Sequence, residues 1–357
     1  MSNITVEFWS PNDTFTNRTG PFRCRSETPQ DWMARTFGTA ITTTQLLNLI
    51  IFALWRNKEP YVLLHVCLTV ASFMAGVSII IPGPLGYLPY TPVNTFLNVF
   101  IGICVLTWAN SAVIFANFAI SVDRWLSVEF AIKYRASITH RKTLVAGVLT
   151  TFGATLILNV PTFTIFWKNQ HFEPCAGLRT DALAGGVAFL IWLALKGPVL
   201  FPLLFLSQLR IMIVAVGLKL QAYRRCHRQE VLPAGHGPPQ EILVIYWGSF
   251  TCSMTIVFFT LISNVPNYLM VIVQGVPLSA RLVGVYMTLV QHCISPVIYL
   301  LFWPLYRQAV IRLFRRVRAV VRAVIKPNTR VGTHSRKRRE PQIPQIPGEQ
   351  PEISATN

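Results

Sequence analysis

The sequence predicts an all-α integral membrane protein: a bundle of seven transmembrane helices with an amphipathic eighth helix on the membrane surface. Three observations predict it. Of the 357 residues, 52% are hydrophobic and 13% charged, against roughly 25% charged in an ordinary soluble domain. Seven apolar runs of membrane-crossing length follow one another, separated by charged or Pro/Gly-marked breaks; a span needs about 20 such residues. Finally, Lys and Arg crowd into alternate connections rather than scattering along the chain.

Residues 1–33 carry three Asn-x-Thr sequons, at Asn3, Asn12 and Asn17. Glycans are added to such sites only on the lumenal side, so this segment is expected to be extracellular. No charged-then-apolar leader precedes the sequons, so the first span is expected to act as its own insertion signal. The bundle proper, residues 34–305, holds spans at about 36–55, 61–81, 94–122, 144–167, 186–214, 242–273 and 282–303. The stretch "PGPLG" breaks the second span, and Lys196 and Arg210 interrupt the fifth.

The net charge of +18 raises the question of a nucleic-acid partner. Its distribution answers otherwise. With the N-terminus outside, the three inner loops and the C-terminal segment hold twenty-four of the thirty-two Lys and Arg residues. Basic residues beside short loops stay in the cytosol during insertion, so topology accounts for the charge without nucleic acid.

Residues 306–326 read as one amphipathic helix. Val310, Leu313, Phe314, Val317, Val320, Val321 and Val324 recur at helical spacing, with Arg307, Arg312, Arg315, Arg316, Arg318 and Arg322 between them. Such a helix is expected to lie in the inner leaflet, held by apolar burial and by anionic lipid. Residues 327–357 are polar and proline-rich, a composition expected to stay disordered and cytoplasmic. Seven cysteines show no CxxC or Cys/His pairing, which argues against a metal site. Cys24 and Cys175 are the two expected on the oxidising side, and their disulfide is the preferred pairing.

None of the fourteen acids falls within a span, whereas a cation-coupled transporter usually needs a membrane-embedded carboxylate. One base, Lys196, does fall inside. Either its stem snorkels to the outer interface, or its ammonium faces a central cavity and attracts an anionic ligand such as a carboxylate or a phosphate lipid. Neutral polar residues are more numerous: Asn48, Ser72, Asn110, Asn117, Asn159, Asn264, His292 and Ser295. Asn110 and Asn117, seven apart, share a helix face. Most of this set is expected to be interhelical packing glue.

From residue 60 to residue 122 there is no Asp, Glu, Lys or Arg; the next two residues are Asp123 and Arg124. The stretch "ISVDRWLSVEFAIKYRASITHRK" resembles the third-helix end and second inner loop of rhodopsin-like G-protein-coupled receptors, with Asp123-Arg124-Trp125 standing for that family's Asp-Arg-Tyr. Other matches follow in order: Asn48, Leu68 with Ala71, Pro161, Pro202, Pro266 in "SNVPNYL", and Ser295-Pro296-Val297-Ile298-Tyr299 for the Asn-Pro-x-x-Tyr motif. The basic helix resembles the family's eighth, so the resemblance covers about residues 34–325.

The resemblance implies a receptor rather than an enzyme, with no cofactor. Its outward cavity would receive an extracellular ligand, anionic or lipid-like if Lys196 contributes, with Leu106, Asn110, Asn264 and Asn267 as the other ligand-facing positions. A heterotrimeric G protein would dock around Arg124, and arrestin and membrane lipids are the family's further partners. In this mechanism Asp123 restrains Arg124 at rest, the sixth helix hinges near Pro266, and Tyr299 helps to hold the active arrangement. The plasma membrane is the implied location, and chemosensing is among the roles open to such a receptor.

Departures from the family pattern accompany the matches. Ser72 and Ser295 stand where the family places Asp and Asn, which argues against its internal sodium site. Val99 replaces the third-helix cysteine, leaving Cys175 to pair with Cys24 or Cys104. Asn264 takes the place of the sixth-helix Trp, and Leu106 replaces the Asp of amine receptors, which argues against a monoamine. The acid at the base of the sixth helix is not evident, since Tyr246 lies near that place and Glu241 too far out. Weak restraint and noticeable basal activity are therefore expected. A non-signalling relative, decoy or co-receptor, and a seven-helix transporter or scramblase remain the competing readings.

Overall fold

The computed structural model describes residues 29–55, 59–85, 92–160, 170–173, 177–180, 191, 193–229, 240–273 and 277–325. Among these, seven helices are long and apolar enough to cross a membrane: Trp32–Ala53, Val62–Leu85, Phe96–Glu129, His140–Val160, Leu195–Val214, Gly248–Met270 and Leu282–Phe302. They are called the first to seventh spans below. The expected helical bundle is therefore present, with ends that differ from the hydropathy boundaries for identifiable reasons.

The first helix starts at Pro29 rather than near 36. Proline suits a first helical position, where its missing N–H has no partner to lose. The expected break at "PGPLG" is corrected: Pro82–Leu85 is a helical turn that continues the second span, with Ile81 N–H bonded to the Val77 carbonyl at 3.1 Å and Leu85 N–H to that of Ile81 at 3.3 Å. Prolines at the start of a turn remove only donors that the turn does not use.

The third span is a composite. An α-helix at Pro92–Val99 runs through a π-helical stretch, Phe100–Val105, into a second α-helix, Leu106–Glu129. Its 34 residues extend about 51 Å at 1.5 Å per residue, well beyond a hydrocarbon core of about 30 Å. Asp123 and Arg124 thus sit within a continuous helix, not at its end. A short helix, Ala131–Ser137, leads to Thr139, whose side chain caps the fourth span by accepting from Lys142 N–H.

Between the fourth and fifth spans, β1 (Gln170–Glu173) and β2 (Gly177–Thr180) form an antiparallel hairpin, Gln170 opposite Thr180. Sequence reading left this segment as a loop. The fifth span opens with a π-helical turn, Leu195–Val199, containing Pro198. A proline without an N–H cannot hold the ordinary helical ladder, and a wider turn absorbs the gap. The sixth and seventh spans lie within helices Gln240–Ile272 and Leu278–Phe302, which keep Pro266 and Pro296 in their interiors.

The first span packs on the second and seventh, the second on the third, the third on the fifth and sixth, and the sixth on the seventh. Close approach depends on small residues. At Gly76 an added Cβ would lie 2.7 Å from Thr42 Oγ1, so only glycine lets the first two spans meet there. One apolar core joins the first, second, third, sixth and seventh spans through residues such as Phe52, Leu68, Ala116, Ile256 and Tyr299. A smaller one, around Ile114, Leu204 and Val257, joins the third, fifth and sixth. Outward-facing Leu46, Ile157, Leu206, Phe258 and Leu301 are exposed, as suits helices whose solvent is lipid.

The chain divides into two compact units, Met1–Leu313 and Phe314–Asn357. The helix Pro304–Ile325, two residues longer at its start than the sequence suggested, belongs to both. In the first unit Tyr306 and Ala309 are buried, with Val310 and Leu313 packed against the core. In the second, Phe314, Val317, Val320 and Val321 are exposed.

Candidate functional site

Hydrocarbon offers no hydrogen bonds, so polar side chains in apolar helices must find one another. Here they form a seam through the middle of the bundle. His292 of the seventh span places Nε2 at 3.0 Å from Asn110 Oδ1 on the third and Nδ1 at 3.2 Å from Ser72 Oγ on the second. The amide oxygen only accepts and the hydroxyl can donate, so the pattern suits a neutral imidazole with its proton on Nε2. Gln45 Nε2 donates to the His292 carbonyl and to Ser295 Oγ, the latter at 3.1 Å. Asn48 Nδ2 donates to Thr69 Oγ1 at 3.1 Å, and the Tyr306 hydroxyl donates to Asn48 Oδ1 at 2.9 Å.

A second branch binds the third, sixth and seventh spans. Asn117 Nδ2 and Gln291 Nε2 both donate to Thr260 Oγ1, at 3.1 and 3.3 Å. Asn264 Nδ2 donates to Gln291 Oε1 and to the Thr260 carbonyl. Ser72, Asn117, Thr260, Gln291 and Ser295 line a small cavity. Asn117, on its lining, has its Oδ1 buried with no hydrogen-bond partner.

At one end of the seam lies Arg124. Its Nη2 is 3.2 Å from Asp123 Oδ2, and both side chains are nearly buried, 11% and 9% exposed. The Tyr134 hydroxyl donates to the other carboxylate oxygen at 2.5 Å. Burial, followed by the adjacent carboxylate, pushes the Tyr134 phenol well above the usual tyrosine range, so it stays a donor. On the other side the guanidinium carbon stands 3.9 Å over the Tyr61 ring. Arg124 Nε has no hydrogen-bond partner.

An aromatic cluster lies behind this group. Tyr61 stacks on Trp303, 5.6 Å between centroids, and His65 meets Tyr299 edge-on. His65 Nδ1 is 3.0 Å from the Tyr299 hydroxyl, which joins the second and seventh spans, and Ser253 of the sixth lies 3.4 Å from Nε2. Phe52, Trp55 and Tyr306 complete the cluster.

The structure thus gathers Asp123, Arg124 and Tyr299 at one end, and Asn110, Asn264 and Ser295 in the seam. Trp125 is 38% exposed and meets Phe130 edge-on. Pro266 and Pro296 sit in uninterrupted helix. Leu106 and Lys196 are half-buried, the latter in the π turn of the fifth span. Asn267 is half-buried, with its backbone near Gly284 of the seventh span. Asn3, Asn12, Asn17, Pro161, Cys24 and Cys175 lie outside the described residues. Cys104, the alternative partner for Cys175, is a buried free thiol.

Sequence reading missed Gln45, Tyr61, His65, Tyr134, Thr260 and Gln291. Gln45 and Gln291 were visible as amides in apolar runs. His65 was also visible, as an ionisable group in the charge-free run. Nothing in the sequence distinguished Tyr61 from any aromatic at a membrane interface.

No protein-family model matches the chain, and no curated protein matches it significantly.

Proposed function

We propose that this chain is a seven-span receptor of the rhodopsin-like type, which couples an extracellular ligand to a cytoplasmic heterotrimeric G protein from the plasma membrane. The observation that carries the reading is Arg124. A buried cation that served packing alone would have its donors satisfied, because an unpaired buried donor costs about 1–3 kcal/mol. Arg124 instead has one acid beside it on its own helix and an unpaired Nε. Such a group is held, yet keeps donors for an incoming acceptor.

The seam supplies the transmission. Its bonds form two branches, Asn110 to His292 with Gln45 to Ser295, and Asn264 to Gln291 with Gln291 and Asn117 to Thr260, and they tie the third, sixth and seventh spans. A ligand that binds one arrangement of these bonds better than another shifts the population between them. The ligand end is placed around Leu106, Asn110, Asn264, Asn267 and Lys196, with an anionic or lipid-like molecule as the favoured class. Arrestin and inner-leaflet lipid are further partners on this reading. The Ser72–His292 pair occupies the place where the family carries an acid, which argues against a sodium-dependent step.

The test is nucleotide exchange on a panel of purified G proteins, using membranes with wild-type protein and with Arg124→Ala at matched surface density. Exchange above empty membranes that changes with Arg124 is expected. Silence from well-expressed wild-type protein across the panel would count against basal signalling. Substrate flux independent of Arg124 would favour a transporter.

A further inference from the structure

Among the described residues, Tyr61 has its ring in direct contact with Arg124. The guanidinium carbon lies 3.9 Å from the ring centroid, and Tyr61 is only 7% exposed. A planar guanidinium over an aromatic face is attracted by the ring's negative potential, more strongly where water is excluded. The ring cannot easily turn away. Trp303, fully buried, stacks against it at 25° between planes, and the His65 ring approaches at 82°. Its phenol end reaches the sixth span near Ser249, although Ser249 Oγ makes no hydrogen bond.

We infer that Tyr61 is the positioning residue that holds Arg124 at rest, by a cation–π contact shared with the Asp123 ion pair. The inference rests on the receptor reading and adds the means of restraint. Among the described residues Asp123 is the acid paired with Arg124, and it lies on the same helix. An ion pair between neighbours on one helix cannot tie that helix to another. Tyr61 can, because it belongs to the start of the second span and is backed by the seventh through Trp303. The contact leaves Arg124 Nε unpaired, so it restrains the side chain less than a second carboxylate would. It is lost when the sixth and seventh spans shift and the wall behind Tyr61 loosens.

The experiment uses full-length protein in membranes with Phe, trifluoro-Phe or Leu at position 61. Fluorination keeps the ring's shape while draining its negative face. Two readouts are taken: basal nucleotide exchange, and the melting temperature in wild-type and Arg124→Gln backgrounds. Tyr61→Phe retains the ring face and is expected to keep the restraint. Trifluoro-Phe and Leu are expected to raise basal exchange about fivefold or more, the equilibrium shift that losing a desolvated contact of this class produces. They should also lower the melting temperature when Arg124 is present and have a smaller effect when it is Gln.

Exchange that responds to Arg124→Ala but not to ring fluorination would overturn the role of Tyr61 and leave the receptor reading standing. Fluorination that lowers the melting temperature equally in both backgrounds would also overturn it, since the effect would then be packing. No exchange from any variant, Arg124→Ala included, would count against basal signalling and overturn the restraining role of Tyr61. The melting data alone would then report whether the contact exists.

Discussion

Tyr134 shows how much one side chain outside the spans can decide. It reaches back eleven residues to donate to Asp123, fixing the carboxylate whose other oxygen faces Arg124. Its folded-state pKa lies above the ordinary value of 10.0 because burial, then the Asp123 charge, disfavours the phenolate. The neutral form is therefore favoured by folding. Stabilisation from this group is complete below about pH 10 and is lost as pH rises through the higher folded value. Tyr134→Phe is expected to lower the melting temperature in detergent by about 2–4 °C at neutral pH and to remove part of the alkaline fall. A pH–stability curve for both proteins checks this, and identical curves above pH 10 would refute it. At this scale the sequence was partly legible. Asp123 and Arg124 stood out as the first charges after a long neutral run, whereas the partners Tyr134 and Tyr61 are ordinary aromatics until the fold brings them to the pair.

Helices in this chain deviate from α geometry where the spans must meet closely. The π turn Leu195–Val199 brings Gly197 against Tyr268 of the sixth span, and an added Cβ would fall 1.8 Å from Tyr268 Cζ. No side chain fits there without separating the helices. Gly197→Ala is expected to destabilise by about 1–3 kcal/mol through overpacking, and Tyr268→Ala in the same chain should restore part of the loss. Thermal unfolding of the single and double variants tests it; an additive double variant would show that the two positions do not share the contact. The terminal helix was easier to read, because its apolar stripe and arginines recur at helical spacing. Pro198 was visible within the fifth apolar run, but whether it produced a kink, a break or a wider turn depended on what packed beside it. The same holds for Pro82 and Pro84, which looked like a stop and proved to be a continued turn.

For the whole molecule, the proposed reading has a direct consequence: seven spans would put the two termini on opposite sides of the membrane. With Lys and Arg concentrated in alternate connections and the C-terminal segment, an N-terminal tag is expected to be reachable on intact cells and a C-terminal tag only after permeabilisation. Both tags reachable from one side would overturn the arrangement. What the sequence alone determined is this layer: seven apolar helices and the basic helix after them. Each follows from local composition, because a run of apolar residues must cross lipid as a helix whatever its neighbours are. What only the tertiary structure decided is which polar groups meet. Asn110 with His292, Asn264 with Gln291, Tyr61 with Arg124 and Tyr306 with Asn48 are partners far apart in the chain. Their pairing depends on the rotation and depth of each helix, which are set by the packing of all seven.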